Sequence, residues 1–182
     1  MADSNVCPHA PFKSVPLYSP VVFNRYATRH VFVSDGTDSD VRDRMIMEVG
    51  AETDLISLSI GSPSIADKNE LHQALFNVLR DARIGIHLYL FGDESFIWTL
   101  HALAVAQGLS NEEITLGHSG SRTHQLIYCV HCADLQTQPV RHTVTCQNCG
   151  VELEVRAHFS RRLGAYLGVC LNADEPYGRD VA

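Results

Sequence analysis

The sequence reads as an α/β chain: a parallel, three-layer domain followed by a small C-terminal ribbon built around four cysteines. Two observations carry that expectation. Between residues 29 and 116, short apolar runs alternate with stretches of helical periodicity, the pattern of strand–helix–strand units that pair in parallel. Further on, the chain reads Cys129-Val-His-Cys132, a thirteen-residue spacer, then Cys146-Gln-Asn-Cys149-Gly150. Two Cys-x-x-Cys pairs at this separation point to a four-thiolate metal site, because each pair delivers two sulfurs from one tight turn.

Taken in order, residues 1–20 carry Pro8, Pro11, Pro16 and Pro20. Such a segment cannot hold a helix and prefers extended, solvated conformations; it is expected to be a disordered lead, with an arm laid on a partner as the alternative. The α/β domain spans 21–120. His30-Val-Phe-Val33 predicts a first strand, and Ser34-Asp-Gly-Thr37 is turn chemistry. Thr37 or Asp38 offers the cap for a helix over 39–49, where Val41, Met45 and Val49 share a face. Leu55 to Ile60 predicts the second strand, closed by Gly61-Ser-Pro63. A helix over 67–82 presents Leu71, Leu75, Val78 and Leu79 as its apolar stripe. Ile86-His-Leu-Tyr-Leu-Phe91 is apolar almost throughout, as a strand buried on both faces is. Gly92-Asp93 turns into a helix through Gln107, stopped by Gly108. Glu113 to Leu116 predicts a fourth strand, and Gly117 to Gly120 a hinge into the last unit.

Residues 121–182 form the ribbon and a C-terminal strip. Val151-Glu-Leu-Glu-Val155 alternates apolar and acidic residues as a half-buried strand does. Strand, knuckle, strand, knuckle, strand is the expected order, with Zn2+ held by Cys129, Cys132, Cys146 and Cys149. Two other occupations of these thiols stay open. Disulfides would suit a secreted chain, but the N-terminus lacks the basic start and apolar run of a signal peptide, so a cytoplasmic, reducing location is expected. Iron, as in a rubredoxin-like electron carrier, uses the same four thiolates; Cys149-Gly150 suits it, whereas Ala133 and the short spacer do not. His131 lies inside the first knuckle and is expected to be exposed.

The net charge of -7 disfavours nucleic acid, whose affinity comes largely from Lys and Arg neutralising phosphates. No apolar run is long enough to span a membrane. Cys7 and Cys170 read as ordinary free thiols, and His72, His87, His101 and His118 have no nucleophile at a recognisable spacing. The Asp35, Asp38, Asp40 and Asp43 cluster after the first strand would repel a phosphate, so this turn reads as a capped helix that binds none. The C-terminal strip gathers Arg156, His158, Arg161, Arg162 and Tyr166 among apolar residues on an acidic chain. That is the composition of a protein-docking surface, and Gly164 and Gly168 suggest a loop laid across a partner.

Two resemblances add to this reading. Leu88-Tyr-Leu-Phe-Gly-Asp-Glu-Ser-Phe96, a helix ending in Ala-Gln-Gly108 and the strand Glu113–Leu116 resemble the last unit of the nucleotide-binding domain in ferredoxin-reductase-type flavoproteins. That family's glycine-rich first turn is absent here, which implies a reductase-like domain with a degenerate nucleotide site. The four-cysteine ribbon, then His158-Phe-Ser-Arg-Arg-Leu-Gly-Ala-Tyr-Leu-Gly-Val169 and an acidic tail, resembles the small zinc-containing subunit of bacterial dimethylamine monooxygenases. That resemblance implies a multicomponent, NADPH-dependent haem monooxygenase converting dimethylamine to methylamine and formaldehyde. It also implies a haem-containing catalytic partner and a reductase partner carrying flavin and a 2Fe–2S cluster. The four cysteines carry over as zinc ligands, and this chain is expected to be structural and without activity alone.

Overall fold

The computed structural model describes residues 14–37, 39–50, 53–120 and 122–176. Its first unit runs β1 (Arg29–Ser34), α1 (Asp40–Glu48), β2 (Asp54–Ser59), α2 (Lys68–Arg80), β3 (Ile86–Gly92), α3 (Glu94–Ala106) and β4 (Ile114–His118). The four strands are all parallel in the order β2-β1-β3-β4. Strand residues alternate between faces, and the two faces find different partners. Val31, Val33, Leu88 and Leu90 pack with Leu71, Leu75 and Leu79 of α2 and with Ile97 and Leu100 of α3. Phe32, Tyr89 and Phe91 point the other way, onto Met45 of α1. Helix, sheet and helix therefore form three layers, and every residue of β3 is buried between them.

Side chains fix the helix starts. Asp67 caps α2 by accepting from the N–H groups of Asn69 and Glu70, and Asp93 caps α3 through Phe96 N–H. At α1 the cap is Ser39, two residues beyond Thr37, whose N–H and hydroxyl are both donated to Asp35 Oδ1. The alternative cap, Asp38, lies outside the described residues.

The second unit holds β5 (His124–Cys129), β6 (Leu135–Pro139), β7 (Thr143–Thr145), β8 (Glu152–Ser160) and β9 (Ala165–Cys170), in the order β6-β5-β9-β8-β7. Only β5 and β9 pair in parallel. The spacer between the knuckles thus yields two strands where one was expected. The C-terminal strip is not a loop: it turns at Arg161–Gly164 and returns as β9 between β5 and β8. Gly164 sits at φ 64, a left-handed turn, and Gly168 has no room for a side chain, since a Cβ would lie 2.9 Å from Ile127 Cγ2.

The lead segment also departs from expectation. Residues 1–13 lie outside the described residues, but from Ser14 onward the chain is docked on its own fold. Ser14 N–H donates to Ala157 C=O at 3.1 Å, beside a register shift in β8 between Val155 and Phe159. Tyr18 stacks on His118 with ring centroids 4.5 Å apart. Its hydroxyl donates to Glu94 Oε2 at 2.9 Å and accepts from Trp98 Nε1–H at 2.9 Å. Arg122 Nε lies 3.1 Å from Glu94 Oε1, and the same guanidinium sits 4.7 Å above the Tyr166 ring. Burial and the nearby Glu94 carboxylate push the hydroxyl of Tyr18 well above its ordinary range, so it remains a neutral donor. Phe159 and Tyr166 of the second unit complete the core around Trp98, so the two units share one interior.

Candidate metal centre

The two knuckles are the turns at one end of the second sheet: the first closes β5 onto β6, the second β7 onto β8. They repeat each other bond for bond. In the first, Cys129 N–H donates to Asp134 C=O at 2.9 Å and Ala133 N–H to Cys129 C=O at 2.9 Å. In the second, Cys146 N–H donates to Val151 C=O at 2.9 Å and Gly150 N–H to Cys146 C=O at 3.0 Å. Each turn closes through a left-handed residue after its second cysteine, Gly150 at φ 74 and Ala133 at φ 61. Ala133 is the sole non-glycine among the described residues with positive φ. The sequence change from glycine to alanine therefore did not change the turn.

These turns bring Cys129, Cys132, Cys146 and Cys149 together, with all four sulfurs within 4.8 Å of one another. Cys129 Sγ stands 3.9 Å from Cys149 Sγ, and Cys132 Sγ 3.7 Å from Cys146 Sγ. A disulfide would need about 2.05 Å. A tetrahedron of thiolates about 2.3 Å from a central ion has edges near 3.8 Å, so the donor set fits a four-coordinate metal. Cys129 and Cys146 are buried and Cys132 and Cys149 partly so, under a small core of Ile127, Val144, Val151 and Leu153.

The sulfurs are not equivalent. Burial raises the Cys129 thiol to about 12. Burial also acts upward on Cys146, but the backbone N–H groups of Cys149 and Asn148, with the Cys149 and Gln136 side chains, outweigh it and bring the thiol down to about 6. Gln136 is the residue that sequence reasoning missed. Buried on β6, it donates from Nε2 to Cys146 Sγ at 3.1 Å and accepts from Gln147 N–H at 2.8 Å. Its only sequence signal is a polar residue at the inward position of a Gln-Thr-Gln strand. His131 is exposed, outside the thiol cluster.

The docking residues are scattered. Arg156 is exposed and paired with Glu154 at 2.9 Å, and His158 is exposed beside Ser14. Arg161 and Arg162 are exposed in the turn between β8 and β9. Tyr166 is not on the surface: only 2% of it is accessible, because its strand position faces the shared core.

The crevice where β1 and β3 end is the topological switch point of the parallel sheet, where such folds bind ligands. Asp35 fills it from within. Its Oδ2 accepts the N–H of Asp93 at 3.1 Å, and a Cβ on Gly92 would lie 2.7 Å from the same oxygen. His87 and His101 are held in structural contacts. His87 bridges Asn24 and Thr115 at 2.9 and 2.8 Å, with burial lowering its pKa to about 4. His101 meets Asn111 at 3.0 Å, and His72 sits part-exposed on α2. Among the described residues, no helix is long and apolar enough to cross a membrane.

Fold and site together define a class: a parallel α/β unit fused through a common core to a four-cysteine, metal-competent ribbon. Two family models match the chain, the N-terminal domain of "Dimethylamine monooxygenase subunit DmmA-like" over residues 57–114 and the C-terminal domain of the same description over residues 126–169. The chain is 44% identical over 175 residues to the "Heme-dependent oxidative N-demethylase delta subunit" of Ectopseudomonas mendocina (strain ymp), covering 96% of this chain and 97% of that protein. It belongs to the DmmA-like family of dimethylamine monooxygenase subunits. No solved structure matches it.

Proposed function

We propose that this chain is the zinc-holding, non-redox subunit of a multicomponent haem-dependent oxidative N-demethylase, with dimethylamine as substrate and NADPH as the electron source. The observation that carries the reading is its near full-length identity to a protein named as the delta subunit of such an enzyme. Its partners in this reading are a haem-containing catalytic subunit and a reductase subunit with flavin and a 2Fe–2S cluster, all cytoplasmic. Zinc suits the site because four protein thiolates close its coordination, the arrangement of structural rather than catalytic zinc. The metal would supply a crosslink: Cys129 and Cys132 from one hairpin, Cys146 and Cys149 from the other. The α/β unit we read as a ferredoxin-reductase-type domain that has given up its nucleotide; the Asp35 carboxylate at the start of α3 supports this, since it takes an amide donor that a phosphate would use.

The test is to purify the tagged chain gently from its source cells, record its visible spectrum and measure its metal. A haem Soret band with flavin and iron–sulfur features, dimethylamine-dependent NADPH oxidation and one zinc per chain are expected. One iron per chain with a rubredoxin-like spectrum would replace this reading with that of an electron carrier.

A further inference from the structure

Where the two units meet, a cleft of about 520 Å³ opens between α3, the lead segment and the β8–β9 turn. Trp98, Ala102, Ile114 and Leu17 give it apolar lining, His101 and Asn111 lie among them, and the exposed Arg161 and Arg162 border it at the β8–β9 turn. Glu112 lines it as well. Like Arg25, Arg44, Arg83 and Arg141, and unlike Arg29, Arg42, Arg80, Arg122 and Arg156, the two guanidinium groups face no carboxylate; they alone are adjacent in sequence and share one cleft. Among the described residues, no carboxylate lies within ion-pairing distance of Arg161 or Arg162.

The surroundings say what kind of molecule covers this cleft. Leu17 is 84% exposed and Val105, another lining residue, 44%. A small anion on the arginines would leave both apolar side chains in water, whereas a folded or extended protein segment would cover them. The cleft is also pre-formed, which lowers the ordering cost of association. The Trp98 indole is held by its hydrogen bond to Tyr18 and by Phe159, 4.9 Å away between ring centroids. The turn bearing the arginines is pinned to α3, because Gly164 packs so closely that a Cβ would be 3.1 Å from the Trp98 carbonyl oxygen. Two adjacent unpaired cations on a chain of net charge -7 select a partner of opposite sign.

We propose that this cleft docks a segment of another subunit of the N-demethylase assembly, one that sets carboxylates on Arg161 and Arg162 and an apolar side chain against Trp98, Leu17 and Val105. The inference rests on the functional reading above, and it places the contact in one cleft rather than along the whole basic strip. Arg156, already paired with Glu154, and Tyr166, buried, take no part.

The test uses the full chain, co-expressed with the haem-binding and reductase subunits. Affinity for them is measured for the wild type and for Arg161→Glu with Arg162→Glu, at low and moderate salt. A photo-crosslinking residue at Val105 maps the contact. The expected result is a loss of at least tenfold in affinity at an unchanged melting temperature, binding of the wild type that weakens with salt, and crosslinks to an acidic stretch of a partner subunit. Should the charge reversal unfold the chain, Arg161→Gln with Arg162→Gln is measured instead, and the same direction is expected. Wild-type association with equal affinity in the variant overturns the cleft and leaves the functional reading standing. Crosslinks to a second copy of this chain overturn it too. Absence of any association by the wild type overturns both.

Discussion

Ala133 offers a sharp test of how the knuckles are built. At φ 61 its methyl group crowds the following carbonyl, a cost of roughly 1–2 kcal/mol that glycine avoids. The side chain is exposed, so removing the methyl forfeits little packing. Glycine loses more freedom on folding, which returns about 0.4–1 kcal/mol to the unfolded state. Ala133→Gly should therefore stabilise the metal-loaded protein by about 0.5–1 kcal/mol, a rise of about 1–4 °C in Tm for a chain of this size. The second knuckle supplies the mirror experiment. A Cβ at Gly150 would meet nothing within 4 Å, so Gly150→Ala suffers only the strain of φ 74 and should lose a similar amount. Denaturant melts at saturating metal would read both variants, and the double exchange should come out near zero. If Ala133→Gly destabilises as much as Gly150→Ala, the left-handed geometry of the first knuckle is not what the structure shows and the bond-for-bond equivalence fails.

Other perturbations reach different layers. Cys146→Ser should unfold the second unit, since a structural metal site contributes folding energy directly; amide exchange in β7 and β8 that stays protected would count against a structural role. Gln136→Leu removes the donor to Cys146 Sγ and should cost about 1–3 kcal/mol, with metal retention against a competing chelator falling in parallel. Tyr18→Phe deletes the bond to Glu94 and leaves Trp98 Nε1–H without its acceptor, so limited proteolysis should cleave the lead segment faster; an unchanged rate would mean the hydroxyl does not hold it. His87 stays neutral in the fold because burial depresses its pKa to about 4. The unfolded chain takes up that proton near pH 6.5, so stability is full above that value and falls as pH drops towards 4. His87→Gln should flatten the slope of Tm against pH across that window, and a slope equal to the wild type would remove His87 as its source.

Much of the architecture could be read from the chain because it is local. The α2 stripe of Leu71, Leu75 and Leu79 and the apolar run of β3 are fixed by periodicity, and the four cysteines by spacing. What escaped depends on contacts distant in sequence. Gly164 and Gly168 suggested a loop laid across a partner, yet they are small because Trp98 and Ile127 press against them. Tyr166 looked like an interface aromatic and is a core residue, since only the β5–β9 pairing reveals which way it faces. Ser14 to Pro20 looked like a free arm because nothing nearby in sequence announces that Glu94 and Trp98 will catch Tyr18. Gln136 is a polar residue in a short strand until Cys146 is brought beside it.

The strand order has a consequence for how the chain is made. The hairpin of β5 and β6 and the hairpin of β7 and β8 share no ladder; β9 alone runs between them. As a nascent chain emerges, the four thiols are complete at Cys149, before the β8 strand and the turn that precede β9 at Ala165. During that interval a captured ion would join the bonds from Gln136 and Gln138 to Cys146, Gln147 and Thr145 in fastening the hairpins, and the last strand then zips an interior already outlined. Metal supply would thus act on the order of assembly during synthesis, as well as on the endurance of the finished protein.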